Sequence, residues 1–239
     1  MRALSAPRTN LEKGPLDGEL HAIGVANQAQ SGSIAAMVRP GDAAREATYG
    51  FRVKAQLLGS FVDVLRERKR WDAVVRELSQ ETEETVRSNM LVGSWIDGRP
   101  LAETQCIVYD LYGTAEIREC VYLAAQRSAV RFLQPVIEAT MRLFGVAPHV
   151  LFERLGAMAG TSTKGFTCVY AQVSETSGIL RFTYPGSKNL SIAGLEGVAG
   201  SLETVFELTH TTGTIPTPQW LTPACNDGEL RVSWTAGRR

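Results

Sequence analysis

No uninterrupted apolar run of about 18 residues, the length a membrane-spanning helix needs, occurs anywhere in these 239 residues. Nor is there an excess of charge. Twenty-five Lys and Arg balance 25 Asp and Glu, so no global field draws nucleic acid or an anionic membrane to the chain. The four cysteines, Cys106, Cys120, Cys168 and Cys225, are dispersed and sit in apolar or strand-like settings. That pattern favours reduced core thiols over a disulfide frame or a zinc site. The first ten residues carry Arg2 and Arg8 without a following apolar run, which argues against a secretory signal and makes the cytoplasm the expected compartment. Gly156 to Lys164 lacks the Gly-Lys-Ser/Thr ending of a phosphate loop and leads into a strand where a helix should follow.

What is present is an ordinary globular composition, 44% hydrophobic and 21% charged, sufficient for one full core. Residues 1–48 are rich in Ala, Gly, Ser, Pro and Gln without sustained periodicity, and are expected to form a poorly ordered arm. Met37 lies just before the chain becomes regular and is a candidate translation start. Residues 49–236 are expected to form a single α+β domain.

From Tyr49 the apolar period is helical, with Val53, Leu57, Phe61, Val64 and Leu65 on one stripe and Trp71, Val74, Val75 and Leu78 on a second. Arg66, Arg68, Lys69 and Arg70 read as a solvated helix end. Ser79 opens a short helix through Val86 to Met90 with an acidic first turn. Ser94 to Arg99 breaks the pattern and Pro100 starts the next helix, burying Leu101, Ile107, Val108, Leu111 and Tyr112. Thr114 to Phe144 is the longest helical run; Pro135 is expected to kink or break it around Ser128 to Gln134. Gly145 ends it, and a further helix spans Pro148 to Met158.

Period two then takes over. Gly165 to Tyr184 reads as two strands, Leu190 to Thr209 as a helix, and Leu230 to Trp234 as a closing strand after an irregular stretch. Gly194, Gly197 and Gly200 recur at every third position of that helix. Each costs about 0.8–1 kcal/mol in an isolated helix, so close backbone approach to the sheet is the expected compensation. The architecture implied is a helical subdomain packed on a small antiparallel sheet.

Ser94-Trp95 after a helix pair, Leu143-Phe-Gly145 before Pro148, Phe152-Glu-Arg-Leu155, the strand ending in Tyr184, the helix Leu190 to Thr209 and a terminal Arg231-Val-Ser-Trp234 form an ordered set. Over roughly residues 50–235 this set resembles the myxobacterial family of unknown function labelled DUF2378. It is also similar to the fold shared by heme NO-binding and 4-vinyl reductase domains. The resemblance implies a helical subdomain on an antiparallel sheet, with a pocket between them that relatives use for small hydrophobic or tetrapyrrole ligands. Heme NO-binding domains hold propionates with a Tyr-x-Ser-x-Arg string. Here the corresponding corner is Tyr184-Pro185-Gly186-Ser187-Lys188, with Ser displaced and Lys in place of the Arg fork. His149 is the one histidine in the stretch where an axial ligand belongs; at a helix start it reads first as an exposed or backbone-bonded residue. Of the cysteine pair that usually ends 4-vinyl reductase domains, Cys225-Asn-Asp-Gly228 keeps one, too few for zinc. No cofactor is therefore expected, with heme as the minor alternative.

Asp97, Glu103 and Asp110 read as surface carboxylates without a histidine partner, and adjacent Ser187 and Lys188 do not form a nucleophile pair. The ligand-binding candidates are Trp95, Phe132, Phe144, Tyr170, Phe182 and Tyr184 as an apolar lining, with Tyr184, Ser187 and Lys188 as its polar rim. The leading expectation is a non-enzymatic small-molecule-binding or sensory domain. It takes an apolar or amphipathic ligand and acts through a homodimer or protein partner. One alternative is a scaffold or assembly protein with a filled core; a weaker one is a tetrapyrrole-binding or reductase-associated protein. An enclosed apolar cavity of roughly 300 Å3 or more separates the first reading from the second.

Overall fold

A computed structural model describes residues 41–42, 47–88, 93–144 and 147–235, with the side chains of 128–138 and 140–144 excepted. The expected arm over 1–48 lies almost wholly outside the described residues, as do the ends assigned to Met90 and Gly145. In order come β1 (Arg52–Lys54), α1 (Ala55–Glu67), α2 (Trp71–Val74), α3 (Gln80–Arg87), β2 (Trp95–Asp97) and α4 (Arg99–Phe144). There follow α5 (Pro148–Ala159), β3 (Thr163–Lys164), β4 (Thr167–Ser174), β5 (Ser177–Thr183), α6 (Ile192–Leu208), β6 (Gly213–Thr214), β7 (Gln219–Trp220) and β8 (Asp227–Trp234). The fold is α+β. None of the described helices is long and apolar enough to cross a membrane.

The larger sheet is antiparallel, ordered β4-β5-β8-β6, with β7 also paired to β8. Its register sets Leu180 opposite Leu230 and Phe182 opposite Gly228. Alternation then puts Leu180, Phe182, Leu230, Val232 and Trp234 on the buried face, as a half-buried sheet requires. α6 and α5 cover that face, contributing Leu195, Leu202, Phe206 and Phe152 to one core. Ser191 caps α6 by accepting from the Ala193 amide at 3.2 Å. A second core, of Phe61, Val64, Leu65, Val74, Ile107, Val108, Ile117 and Cys120, joins α1 and α2 to α4.

Four local expectations are corrected. Val53 belongs to β1 rather than to a helical stripe, because β1 pairs with Trp95–Asp97 on one side and Thr163–Lys164 on the other. These three short strands make a second sheet that local periodicity cannot reveal. The run from Thr114 stays helical through Pro135 instead of breaking there, and the non-helical residue within α4 is Gly113 (φ 81°), at the expected boundary between the helix burying Tyr112 and the run from Thr114. A proline ring fixes a φ that a helix accepts, whereas a left-handed φ suits glycine. Leu111, expected inside, is 38% exposed. Finally, the glycine stripe of α6 meets α4 rather than the sheet. A Cβ on Gly200 would lie 2.3 Å from the Arg118 carbonyl oxygen and one on Gly197 2.9 Å from Gln105 Nε2, while Gly194 has open space.

The basic stretch after α1 is spent on ion pairs. Arg68 and Arg70 both engage Glu116, with Nε–Oε1 distances of 3.0 Å, and Arg66 covers the Trp71 ring. Glu103, expected at the surface, is 2% exposed. It accepts from the Ser79 amide at 2.7 Å and the Ser79 hydroxyl at 2.8 Å, and also from the Thr82 hydroxyl, so its role is to tie α3 to α4. Asp97 and Asp110 accept backbone amides of Arg99 and Gly41.

Candidate ligand-binding site

A cavity of about 280 Å3, partly open to solvent, lies where β1, α1 and α4 face α5, β5 and α6. Large side chains build part of its wall: Leu57 and Phe61 from α1, Leu101 from α4, Leu151, Leu155 and Met158 from α5, and Phe182 from β5. Small ones leave the space open: Ala124 and Ala125 on α4, Ala159 on α5, and Gly197, Ser201 and Thr204 on α6. Because Gly200 holds α6 against the α4 backbone, the small residues one turn away face each other without filling the gap. The volume approaches the lower end of known ligand pockets, about 300 Å3. At interior packing density it suits a molecule of roughly ten to fifteen non-hydrogen atoms.

Polar groups are few. Ser162 donates to the Ala159 carbonyl, Ser201 to Val198 and Thr204 to Ser201, so these hydroxyls satisfy themselves within their own turns. Among the described residues the Gln105 amide and the Tyr184 and Thr163 hydroxyls, all in the lining, make no hydrogen bond. The Tyr184 ring is held by Phe51, Phe166 and Trp220, with centroids at 5.5, 5.9 and 6.5 Å. Burial pushes its pKa well above the usual phenol value, with the neighbouring Cys168 thiol a smaller cause; the hydroxyl therefore keeps its proton and is a donor.

Of the eight candidates, Phe182 and Tyr184 line the cavity. The side chains of Phe132 and Phe144 lie outside the described residues. Trp95 sits in the three-stranded sheet between Lys54 and Lys164, whose ammonium groups lie 4.3 and 4.4 Å from its ring centroid. Tyr170 stacks on Phe152 at 5.8 Å within the sheet core, its hydroxyl buried without a partner. Ser187 is buried and accepts from the Gly50 amide at 2.9 Å. Lys188 is exposed, and its backbone forms a bridge with Thr48 at 3.0 Å in both directions. The corner thus clamps the incoming segment 48–50 on a turn whose Gly186 has φ 80°. Gln105, Met158, Ser201 and Thr204 went unnoticed in the sequence; their signal was the run of small residues on two helices that face each other.

No family model and no curated protein matches this chain. Solved structures do. An Fe(II) unliganded H-NOX protein from K. algicida superposes with TM-score 0.51 at 11% identity, covering 78% of this chain and 98% of that one. An H-NOX protein from S. oneidensis in the Fe(II)NO state gives 0.55 at 8% identity, covering 77% and 99%. The fold is that of H-NOX domains.

Heme iron takes an axial His, Cys, Met or Tyr, and among the described lining residues Met158 and Tyr184 represent that set. The Tyr184 phenol is held protonated, and among the described residues no Arg, Lys or His lines the cavity to pair propionates. His149, second residue of α5, is not part of the wall. The described donor set and volume do not fit a heme.

Proposed function

We propose that this chain is a non-enzymatic, cytoplasmic small-molecule-binding or sensory domain on an H-NOX fold, binding an apolar or amphipathic ligand between its helices and sheet. The observation that carries the reading is the apolar cavity of about 280 Å3 walled by α1, α4, α5, α6 and Phe182. A fold with a filled core, as the scaffold reading requires, has no reason to align Ala124, Ala125, Gly197 and Ser201 around a common space. Membership of the DUF2378 family is supported by the ordered strings from Ser94-Trp95 to Trp234.

Output through a second copy of the chain is supported by β4. Among the described residues this eight-residue strand is bonded on one side only; it carries no charged residue and exposes Val169 and Val173 by 63% and 64%. Such an edge lacks the usual guards against pairing.

Calorimetric titration of the full chain with naphthalene tests the cavity. One site per chain is expected, lost in Ala125→Leu while the circular dichroism spectrum is kept. A wild-type protein that binds no naphthalene has a closed interior and belongs to the scaffold reading.

A further inference from the structure

Burying a charge without a partner is prohibitive, and burying a polar group without one is costly. Against that rule the lining is selective in two respects. It contains no Asp, Glu, Lys, Arg or His among its described residues, so it offers nothing to balance a carboxylate, phosphate or ammonium. It also holds three polar side chains with hydrogen-bonding capacity left over, the small Thr163 hydroxyl and two larger groups. The Tyr184 hydroxyl is a fixed donor, since its ring is wedged between Phe51, Phe166 and Trp220. The Gln105 amide, beside Gly197 at the α4–α6 seam, supplies two donors and an acceptor. The Ser162, Ser201 and Thr204 hydroxyls are already bonded to carbonyls of their own turns.

Resting on the ligand-binding reading above, we propose that the cavity selects an uncharged, carbonyl-bearing ligand. The class is a ketone, ester or amide on a chain or ring of roughly ten to fifteen non-hydrogen atoms. Tyr184 donates to the carbonyl oxygen, and Gln105 supplies the second hydrogen bond. The surrounding Leu, Phe and Met side chains take the hydrocarbon. Acids of the same length are disfavoured because an ionised carboxylate finds no cation among the described residues of the wall.

Methyl decanoate and decanoate, titrated into the full chain at pH 8 alongside naphthalene, separate this inference from the reading beneath it. The ester should bind at least tenfold more tightly than the acid, which is fully ionised at that pH. Tyr184→Phe and Gln105→Leu should each weaken the ester by about five- to tenfold, the size of one neutral hydrogen bond, and leave naphthalene within twofold. Equal or tighter binding of decanoate overturns the selectivity, and undiminished ester binding in either variant overturns the hydrogen-bond assignment; naphthalene binding still stands in both cases. Loss of naphthalene binding by the wild-type protein removes the ligand-binding reading itself, and this inference with it.

Discussion

The two interiors of this domain are built from similar residues and end differently. Between α1, α2 and α4, Leu65, Ile107, Val108, Ile117 and Cys120 are fully buried, with Phe61 and Ala124 at the boundary to the neighbouring space. Around the neighbouring space walled by α1, α4, α5 and α6, leucines and phenylalanines stand beside Ala124, Ala125, Ala159 and Gly197, and about 280 Å3 stays open. The difference comes from where small residues fall, not from hydrophobicity. Each alanine or glycine is harmless alone; facing one another across a seam held rigid elsewhere, they make a void. The rigidity comes from Arg118, whose guanidinium bonds Glu196 at 2.6 Å and the Ile215 carbonyl at 2.7 Å, with Glu196 only 1% exposed.

Removing that brace has the largest expected effect. Arg118→Met leaves the Glu196 charge buried and unpaired, and should cost about 3–5 kcal/mol in urea denaturation. Enlarging a residue distinguishes the two interiors directly. Cys120→Leu overfills the closed core and should cost about 1–3 kcal/mol, whereas Ala125→Leu grows into free space and should leave stability unchanged or raised. Equal costs at the two positions would erase the contrast.

The glycine series on α6 sharpens the same comparison at the scale of one helical turn. Gly200→Ala drives a methyl into the α4 backbone and should destabilise by about 1–3 kcal/mol. Gly194→Ala meets nothing within 4 Å and should stabilise by about 0.5–1 kcal/mol through helix propensity. Gly197→Ala presses on the free end of Gln105, so its cost should be small in thermal melts and visible in ligand affinity.

The smallest expected effect is electrostatic. Hydrogen bonds from Arg68, opposed in part by burial and reinforced by Arg70, pull the Glu116 pKa down from 4.5 to about 2. A folded-state pKa below the unfolded one stabilises fully above pH 4.5, and the contribution disappears as pH falls from 4.5 towards 2. Both arginines reach solvent, which limits the loss to about 1 kcal/mol. Glu116→Gln should flatten the pH dependence of stability across that window.

The sheet, α6 and the order of elements were legible because period two and period 3.6 are local signals: Phe182 and Leu180 alternate, and Leu195, Leu202 and Phe206 recur on a helical face. β1, β2 and β3 were not, since strands of two or three residues exist only through partners distant in sequence. Glu103 shows the same limit. A carboxylate on a helix reads as exposed until three donors from another element surround it. In the site, Phe182 and Tyr184 could be placed from their strand, but Gln105 and Ser201 could not. Their meaning depends on α6 lying against α4, which the three-residue glycine spacing hinted at while pointing towards the wrong neighbour.

Native mass spectrometry of the full chain purified from its own host tests the central claim most directly. An open, ligand-binding interior predicts a stoichiometric mass increment of one uncharged small molecule, displaced by excess naphthalene. A clean apo mass that stays unchanged after naphthalene is added would contradict it.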